Sequence, residues 1–241
     1  KGKLIVANWK MNFLYNNALS FCRKISLYKN KTKNKFVICP PNTLILNLSL
    51  KFKKISFGAQ DCHYENFGAY TGDVSAKMLK NINCKYVIIG HSERRIGYHE
   101  DDILLKNKLD MVLRNGLIPI YCIGENIKTR KKGKTKNFIS KQLLKSLPKK
   151  NKKQIIIAYE PIWAIGSGVT PSIKEIEKIN LYIKKTITKI NRSYKKTTIL
   201  YGGSVNKDNS PDFLNSKEID GLLVGGASLD FNKFTSILNC K

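Results

Sequence analysis

The chain has 241 residues, 42% hydrophobic and 25% charged, with 44 Lys+Arg against 17 Asp+Glu for a formal net charge of +27. This composition excludes a disordered, collagen-like or small disulfide-stapled chain, and no apolar run approaches the roughly 18–20 residues of a membrane span. The basic excess would suit a nucleic-acid or membrane-surface protein, yet only six of the 44 cations are arginines and the densest stretch, 128–153, holds one aromatic, Phe138; a solvated, lysine-rich surface is the reading adopted, with no nucleic-acid or membrane partner expected.

Short β-branched or aromatic runs punctuate the chain. The first, residues 4–7, has no leader-like segment ahead of it and is followed by Asn8-Trp9-Lys10-Met11-Asn12. Residues 36–39 and 55–57 come next, and 86–89 runs into Gly90-His91-Ser92-Glu93-Arg94-Arg95. A helix is expected from Ile103, Leu104, Asn107 and Met111, ending before Gly116. Residues 118–123 lead to Gly124-Glu125, and 155–159 to Glu160-Pro161-Ile162-Trp163-Ala164-Ile165-Gly166-Ser167-Gly168. Ile173, Ile176, Ile179, Ile183, Ile187 and Ile190 then form one apolar helical stripe against a lysine-rich face. Residues 198–201 precede Gly202-Gly203-Ser204, and 221–224 precede Gly225-Gly226-Ala227-Ser228.

Near-continuous apolar runs are those of strands covered on both faces, and strict strand–helix alternation argues for a parallel sheet. Eight units of about 30 residues, with no composition break, predict a single (β/α)8 barrel over 1–241, with a doubly wound open sheet as the alternative. The six cysteines contain no C-x-x-C pair, and several sit in apolar runs as buried free thiols do, which predicts a reducing, cytoplasmic setting.

Barrel active sites lie at the C-terminal ends of the strands. There the sequence places a lysine (Lys10), a histidine (His91) and a carboxylate (Glu160) beside glycine-bearing loops. Glycines after the last two strands let backbone N–H groups approach a phosphate. A carboxylate beside an apolar lid can take a proton, a histidine at a helix start is biased toward the neutral imidazole, and a lysine can stabilise an oxyanion. The combination suggests proton abstraction next to a carbonyl on a small phosphate ester.

The motifs beginning at Ala7, Ile89, Ala158, Tyr201 and Leu223 resemble, in order and spacing, those of the triosephosphate isomerase family, from Leu4 to about Leu238. The resemblance implies a TIM barrel that interconverts dihydroxyacetone phosphate and glyceraldehyde 3-phosphate through an enediolate, within glycolysis and gluconeogenesis. It implies Glu160 as base, His91 as the neutral electrophile, Lys10 as oxyanion stabiliser with Asn8 holding it, and Glu93 as a second carboxylate near Lys10; part of this assignment is the standard example of pKa tuning in enzymes. Gly166, Ser204, Gly225 and Gly226 would receive the phosphate. Pro161, Ile162, Trp163, Ala164, Ile165, Gly166 and Ser167 would form the lid, with Ile165 and Leu223 pressing around the base. Cys122 would pack behind it. Gln60-Asp61 and Gly68-Ala69-Tyr70-Thr71-Gly72-Asp73 resemble the loop that inserts into a neighbouring subunit, with Thr71 at its tip, which implies a homodimer. No metal or organic cofactor is expected. Ile162 and Ser167 depart from the family's common valine and threonine, and Val169-Thr170-Pro171 from Lys-Thr-Ala. The alternatives are another phosphate-binding barrel, such as a ribulose-phosphate epimerase, and a basic nucleic-acid-binding protein on this fold.

Overall fold

The computed structural model describes residues 2–240. Eight parallel strands run β1 (Leu4–Asn8), β2 (Lys35–Cys39), β3 (Ser56–Ala59), β4 (Tyr86–Ile89), β5 (Ile118–Ile123), β6 (Ile156–Tyr159), β7 (Thr198–Tyr201) and β8 (Gly221–Val224), each paired with the next. The pairing of β1 with β8, Leu4 opposite Gly221 through Ala7 opposite Val224, closes the sheet into a barrel. Closure decides between the barrel and the open sheet in favour of the barrel.

The helices are α1 (Tyr15–Leu27), α2 (Asn42–Lys51), α3 (Ala76–Asn81), α4 (Ser92–Gly97), α5 (Asp102–Arg114), α6 (Ile127–Lys131), α7 (Thr135–Ser146), α8 (Ile173–Ile190), α9 (Ser210–Asn215) and α10 (Phe231–Leu238). Alternation along each strand divides the apolar residues into two cores. Val6, Val37, Ile88, Ile120, Ala158 and Leu200 point inward and fill the barrel. Ile5, Ile38, Val87, Tyr121, Ile157 and Ile199 point outward and meet the helices. Helix α8 follows its isoleucine stripe: Ile176, Ile183 and Ile187 are buried, and Ser172 with Glu175 forms a reciprocal capping box at its start.

Two expectations needed correction. The third strand begins one residue later than the apolar run and continues through Gly58 and Ala59, because neighbouring strands pair with those small residues. On α5 the buried stripe is Leu105, Leu109, Val112 and Leu113 with Lys108, whereas Ile103 is 67% exposed and Asn107 faces solvent. Two apolar faces compete on that helix, and the packed one contains the lysine, whose Nζ is held 2.7 Å from Glu100 and 2.7 Å from Asp61.

The fully buried Ile183 sits in the middle of the α8 stripe, far in sequence from the strand ends. Ile183→Ala is expected to cost about 2–5 kcal/mol, the usual range for emptying a core site. Urea unfolding checks this, and kcat should stay at the wild-type value at temperatures where the variant is folded.

Candidate active site

Every strand delivers its last residue to the same end of the barrel. At β1, Asn8 is buried and its Oδ1 accepts the Lys10 backbone N–H at 3.1 Å. Lys10 has φ of 53°, a left-handed conformation uncommon for a residue with a Cβ. Neighbours hold it there: the amide of Gln60 donates to the Lys10 carbonyl at 2.8 Å and to the Cys39 carbonyl at 2.9 Å, while Trp9 is buried against the rings of Phe13 and Phe21. The backbone strain is thereby set against three hydrogen bonds and a buried indole. The Lys10 side chain then passes close to Gly225, where a Cβ would lie 3.4 Å from its Cε, and its Nζ reaches Glu93 Oε1 at 2.5 Å.

His91 follows β4 as the N-cap of α4. Its Nδ1 accepts the backbone N–H of Glu93 at 3.3 Å, which fixes the neutral tautomer with the proton on Nε2. That Nε2 lies 3.1 Å from Glu160 Oε1. Glu160, at the end of β6 and 3% exposed, also accepts the Ser92 N–H on Oε2 at 3.2 Å. Gly124 is required beneath it, since a Cβ there would stand 1.7 Å from the Glu160 carbonyl oxygen. Behind the carboxylate the Cys122 thiol is fully buried, and burial pushes its pKa far up and keeps it neutral.

Burial is the largest influence on the His91 pKa and presses it down, but the charge and hydrogen bond of Glu160, with Glu93 beyond, press it up, and the net shift is upward. The sequence argument from the helix dipole gave the opposite direction because it did not include the carboxylate on Nε2. Lys10 also presses downward.

Asn8, Lys10, His91 and Glu160 line one cavity of about 230 Å³ together with Ile165, Gly166, Ser204, Leu223, Gly225 and Gly226. Glu93 lies outside that cavity, on the far side of Lys10, in an adjoining one of about 310 Å³ that also contains Met11 and Tyr98. Over the cavity, Ile162–Ala164 forms a 3-10 turn, and both the N–H and the hydroxyl of Ser204 donate to the Ala164 carbonyl, at 3.1 and 2.5 Å. Ser167 Oγ donates to the Trp163 carbonyl at 3.0 Å. Tyr70 and Thr71 lie elsewhere, exposed at the tip of the loop after β3.

Several contributors escaped the sequence reading. The amide of Gln60 clamps Lys10, and Ser92 holds the carboxylate of Glu160. Glu125, fully buried, accepts from Trp163 Nε1 at 3.1 Å and from the Tyr159 hydroxyl, and burial raises its pKa. Arg130 covers the Trp163 ring at 4.1 Å and pairs with Glu175 at 2.7 Å, so the segment after Glu160 is tied to α6 and α8. Ser92 and Glu125 carried the same signal, a place just after an apolar run and a glycine, while Gln60 was read only as part of the loop toward a neighbouring subunit. Among the described residues, no group of three or more His, Cys, Asp and Glu is placed to hold a metal ion.

A carboxylate and an imidazole in contact, an ammonium beside them and a glycine-lined recess for an anion suit an enzyme that moves a proton next to a carbonyl on a phosphorylated substrate. The sequence model of the triosephosphate isomerase family matches residues 3–241. Triosephosphate isomerase from Dictyoglomus thermophilum is 43% identical, with 98% of each chain covered. That of Wolbachia pipientis wMel is 42% identical over 98% of this chain and 92% of its own, and that of Legionella pneumophila strain Paris is 39% identical over 99% and 98%. The chain belongs to the triosephosphate isomerase family, and its activity is that of an aldose–ketose isomerase.

Glu160→Gln is expected to lower the pKa of His91, because it removes the negative charge that presses it upward and leaves burial and Lys10 in place. Titration of the His91 ring by NMR in the two proteins checks the sign. An unchanged or higher pKa in the variant would mean that the carboxylate does not act on Nε2 in solution.

Proposed function

We propose that residues 1–241 work as one catalytic domain that interconverts dihydroxyacetone phosphate and D-glyceraldehyde 3-phosphate in glycolysis and gluconeogenesis, with Glu160 as the base. The observation that carries this reading is the convergence of Glu160, His91 and Lys10 on a single cavity whose other wall is Gly166, Ser204, Gly225 and Gly226. Glu160 takes the proton from the carbon next to the carbonyl. His91 donates its Nε2 proton to the carbonyl oxygen and recovers one from the neighbouring hydroxyl, while Lys10 balances the negative charge of the enediolate. The protonated Glu160 returns its proton to the adjacent carbon, so no atom is gained or lost and no metal or cofactor is called for. Asn8 holds Lys10, and Glu93 keeps its ammonium in place.

Phosphate fits at Gly225 and Gly226, where the 3-10 turn Gly226–Leu229 begins and N–H groups lack intrahelical acceptors. At Ser204 the same N–H and hydroxyl now serve the Ala164 carbonyl, so an arriving phosphate competes with the lid for them. That competition couples anion capture to movement of the lid, 161–167, which then excludes water and protects the enediolate.

A homodimer in the cytoplasm, without nucleic-acid or membrane partners, completes the proposal. Supporting the dimer, Met11, Leu14, Phe67, Tyr70, Ile96 and Tyr98 are all exposed on or beside the loops after β1, β3 and β4. The loop bearing Thr71 is stiffened by His63, whose ring packs at a tilt against Tyr64 at 4.1 Å and Tyr70 at 4.0 Å, so it can present a preformed tip to a partner. The cavity beside Lys10, Met11, Glu93 and Tyr98 is a receptor for such a tip. Six free cysteines, five of them buried, suit a reducing compartment, and no described helix is long and apolar enough to cross a membrane.

A coupled assay with dihydroxyacetone phosphate tests the reaction. Glu160→Asp is expected to lower kcat by at least about 100-fold with a smaller change in KM, since withdrawing the carboxylate by one methylene spoils the approach to the carbon. A variant with wild-type kcat would remove Glu160 from the role of base. Deleting residues 69–72 should yield monomers of low activity in analytical ultracentrifugation and assay; fully active wild-type monomers would overturn the proposed assembly.

A further inference from the structure

The opposite end of the barrel holds a second, larger cavity, of about 910 Å³, that the isomerase reaction does not use. Its walls include the first residues of six strands: Leu4, Lys35, Tyr86, Ile118, Ile156 and Thr198. Lys35 lies on the inward-pointing side of β2, in step with Val37 and Cys39, so the sequence places a cation where the barrel interior meets solvent. Lys33, Lys85 and Lys217 line the same cavity.

Among the described residues these lysines have no carboxylate partner; Lys85 Nζ lies over the Tyr86 ring, 5.8 Å from its centroid, which leaves its charge uncompensated. The ion pairs of the protein engage Lys10, Lys108, Lys184, Arg94, Arg95 and Arg130, and among the described residues no carboxylate pairs with Lys33, Lys35, Lys85 or Lys217. Helix C-termini gather at this end and carry partial negative charge, but last-turn cations such as Lys51, Lys80, Arg114 and Lys189 already answer them. The one carboxylate in the wall, Asp220, accepts the Ile199 N–H at 2.9 Å. A fifth lysine, Lys3, donates to the carbonyls of Ser216 and Ile219 and so closes the wall instead of facing the cavity with a free ammonium.

The charge is also one-sided. Lys217 precedes β8, Lys33 and Lys35 stand at β2, and Lys85 precedes β4, so the cations occupy the arc from β8 through β1 to β4. The remaining arc, at β5 to β7, presents Ile118, Gln154 and Thr198, apolar or neutral hydrogen-bonding groups, with Ile156 buried beneath them. Four separated point charges match a chain of phosphates better than a single one, and the neutral arc matches an uncharged, partly apolar body attached to it.

We propose that this basin is a binding site for a nucleoside di- or triphosphate, with the phosphate chain on the lysine arc and the nucleoside over Ile118, Gln154 and Thr198. Inorganic polyphosphate shares the anionic half of that chemistry, and the experiment separates the two. ATP, tripolyphosphate and adenosine are titrated calorimetrically into wild-type protein, into Lys35→Glu/Lys85→Glu, and into Lys128→Glu/Lys132→Glu, which changes the net charge equally on α6 and the turn after it. ATP is expected to bind the wild type more tightly than tripolyphosphate does, to weaken at least about 10-fold in the basin variant, and to change less than about 3-fold in the α6 variant, with kcat/KM for isomerisation preserved in both. Equal weakening in the two variants would reduce the attraction to net charge and overturn the site. So would loss of ATP binding in the presence of saturating triose phosphate, which would place the nucleotide in the catalytic cavity. Tripolyphosphate binding as tightly as ATP would overturn the nucleoside half. Should the basin variant not fold, amine labelling of the wild type decides: ATP should protect Lys33, Lys35, Lys85 and Lys217 from acetylation and leave Lys128 and Lys132 reactive, and uniform reactivity would overturn the proposal.

Discussion

The pairing of β1 with β8 is the contact on which the remaining geometry depends. Until those strands meet, Asn8 and Lys10 belong to one end of the sequence and Gly225 and Gly226 to the other, over 200 residues away. Closure sets Val6 beside Leu223 and Ala7 beside Val224, and so brings Lys10 against Gly225. The requirement is steric as well as hydrogen-bonded. A Cβ on Gly221 would stand 1.9 Å from the Leu4 carbonyl oxygen, so the closing strand has to begin with glycine. Long-range pairing of this kind is costly in loop entropy and is stabilised only when the helices cover the outer face.

Within the closed barrel the site holds its charged groups by mutual contact. Glu93 holds Lys10, Glu160 holds His91, and the Ser92 N–H holds Glu160, so each group has a partner. The proposed reaction requires one of these contacts to be exchanged: the carboxylate must leave the imidazole and the amide to face a carbon atom. That exchange is also what returns His91 to the influence of burial and Lys10. In the proposed reaction, therefore, the neutral imidazole belongs to the arrangement in which Glu160 has turned to the carbon.

The fold, and the meeting of Lys10, His91 and Glu160 at one mouth, were readable because both follow local rules. Strand ends are marked by the change from apolar run to glycine or polar residue, and in a parallel barrel every such change falls at one end. What resisted reading was pairwise and non-local. Nothing in the sequence around Gln60 says that its amide will span the carbonyls of Lys10 and Cys39. The face of α5 was misjudged at Ile103 and Asn107, which face solvent, whereas Met111 packs against the core beside Leu105 and Leu109. Which stripe packs is decided by Asp61 and Glu100, two carboxylates that make a buried Lys108 tolerable. The departures at Ile162, Ser167 and 169–171 leave the Ser167 hydroxyl bonded to the Trp163 carbonyl and to the Val169 N–H; nothing in the structure gives Ile162 a distinct part.

The two ends of the barrel handle the same excess of positive charge in opposite ways. At the catalytic end, Lys10 is paired, its backbone is clamped, and its aliphatic chain lies against a glycine; a single ammonium in a fixed place suits the negative charge that develops on one oxygen. At the other end, several lysines surround a cavity four times larger without carboxylates to restrain them, an arrangement that suits charge spread along a ligand. Net charge alone distinguishes neither case, because at physiological salt a field from dispersed lysines fades within about 8 Å. What distinguishes them is whether neighbouring groups fix the ammonium, and that is determined by the strand on which the lysine sits and the parity it keeps there.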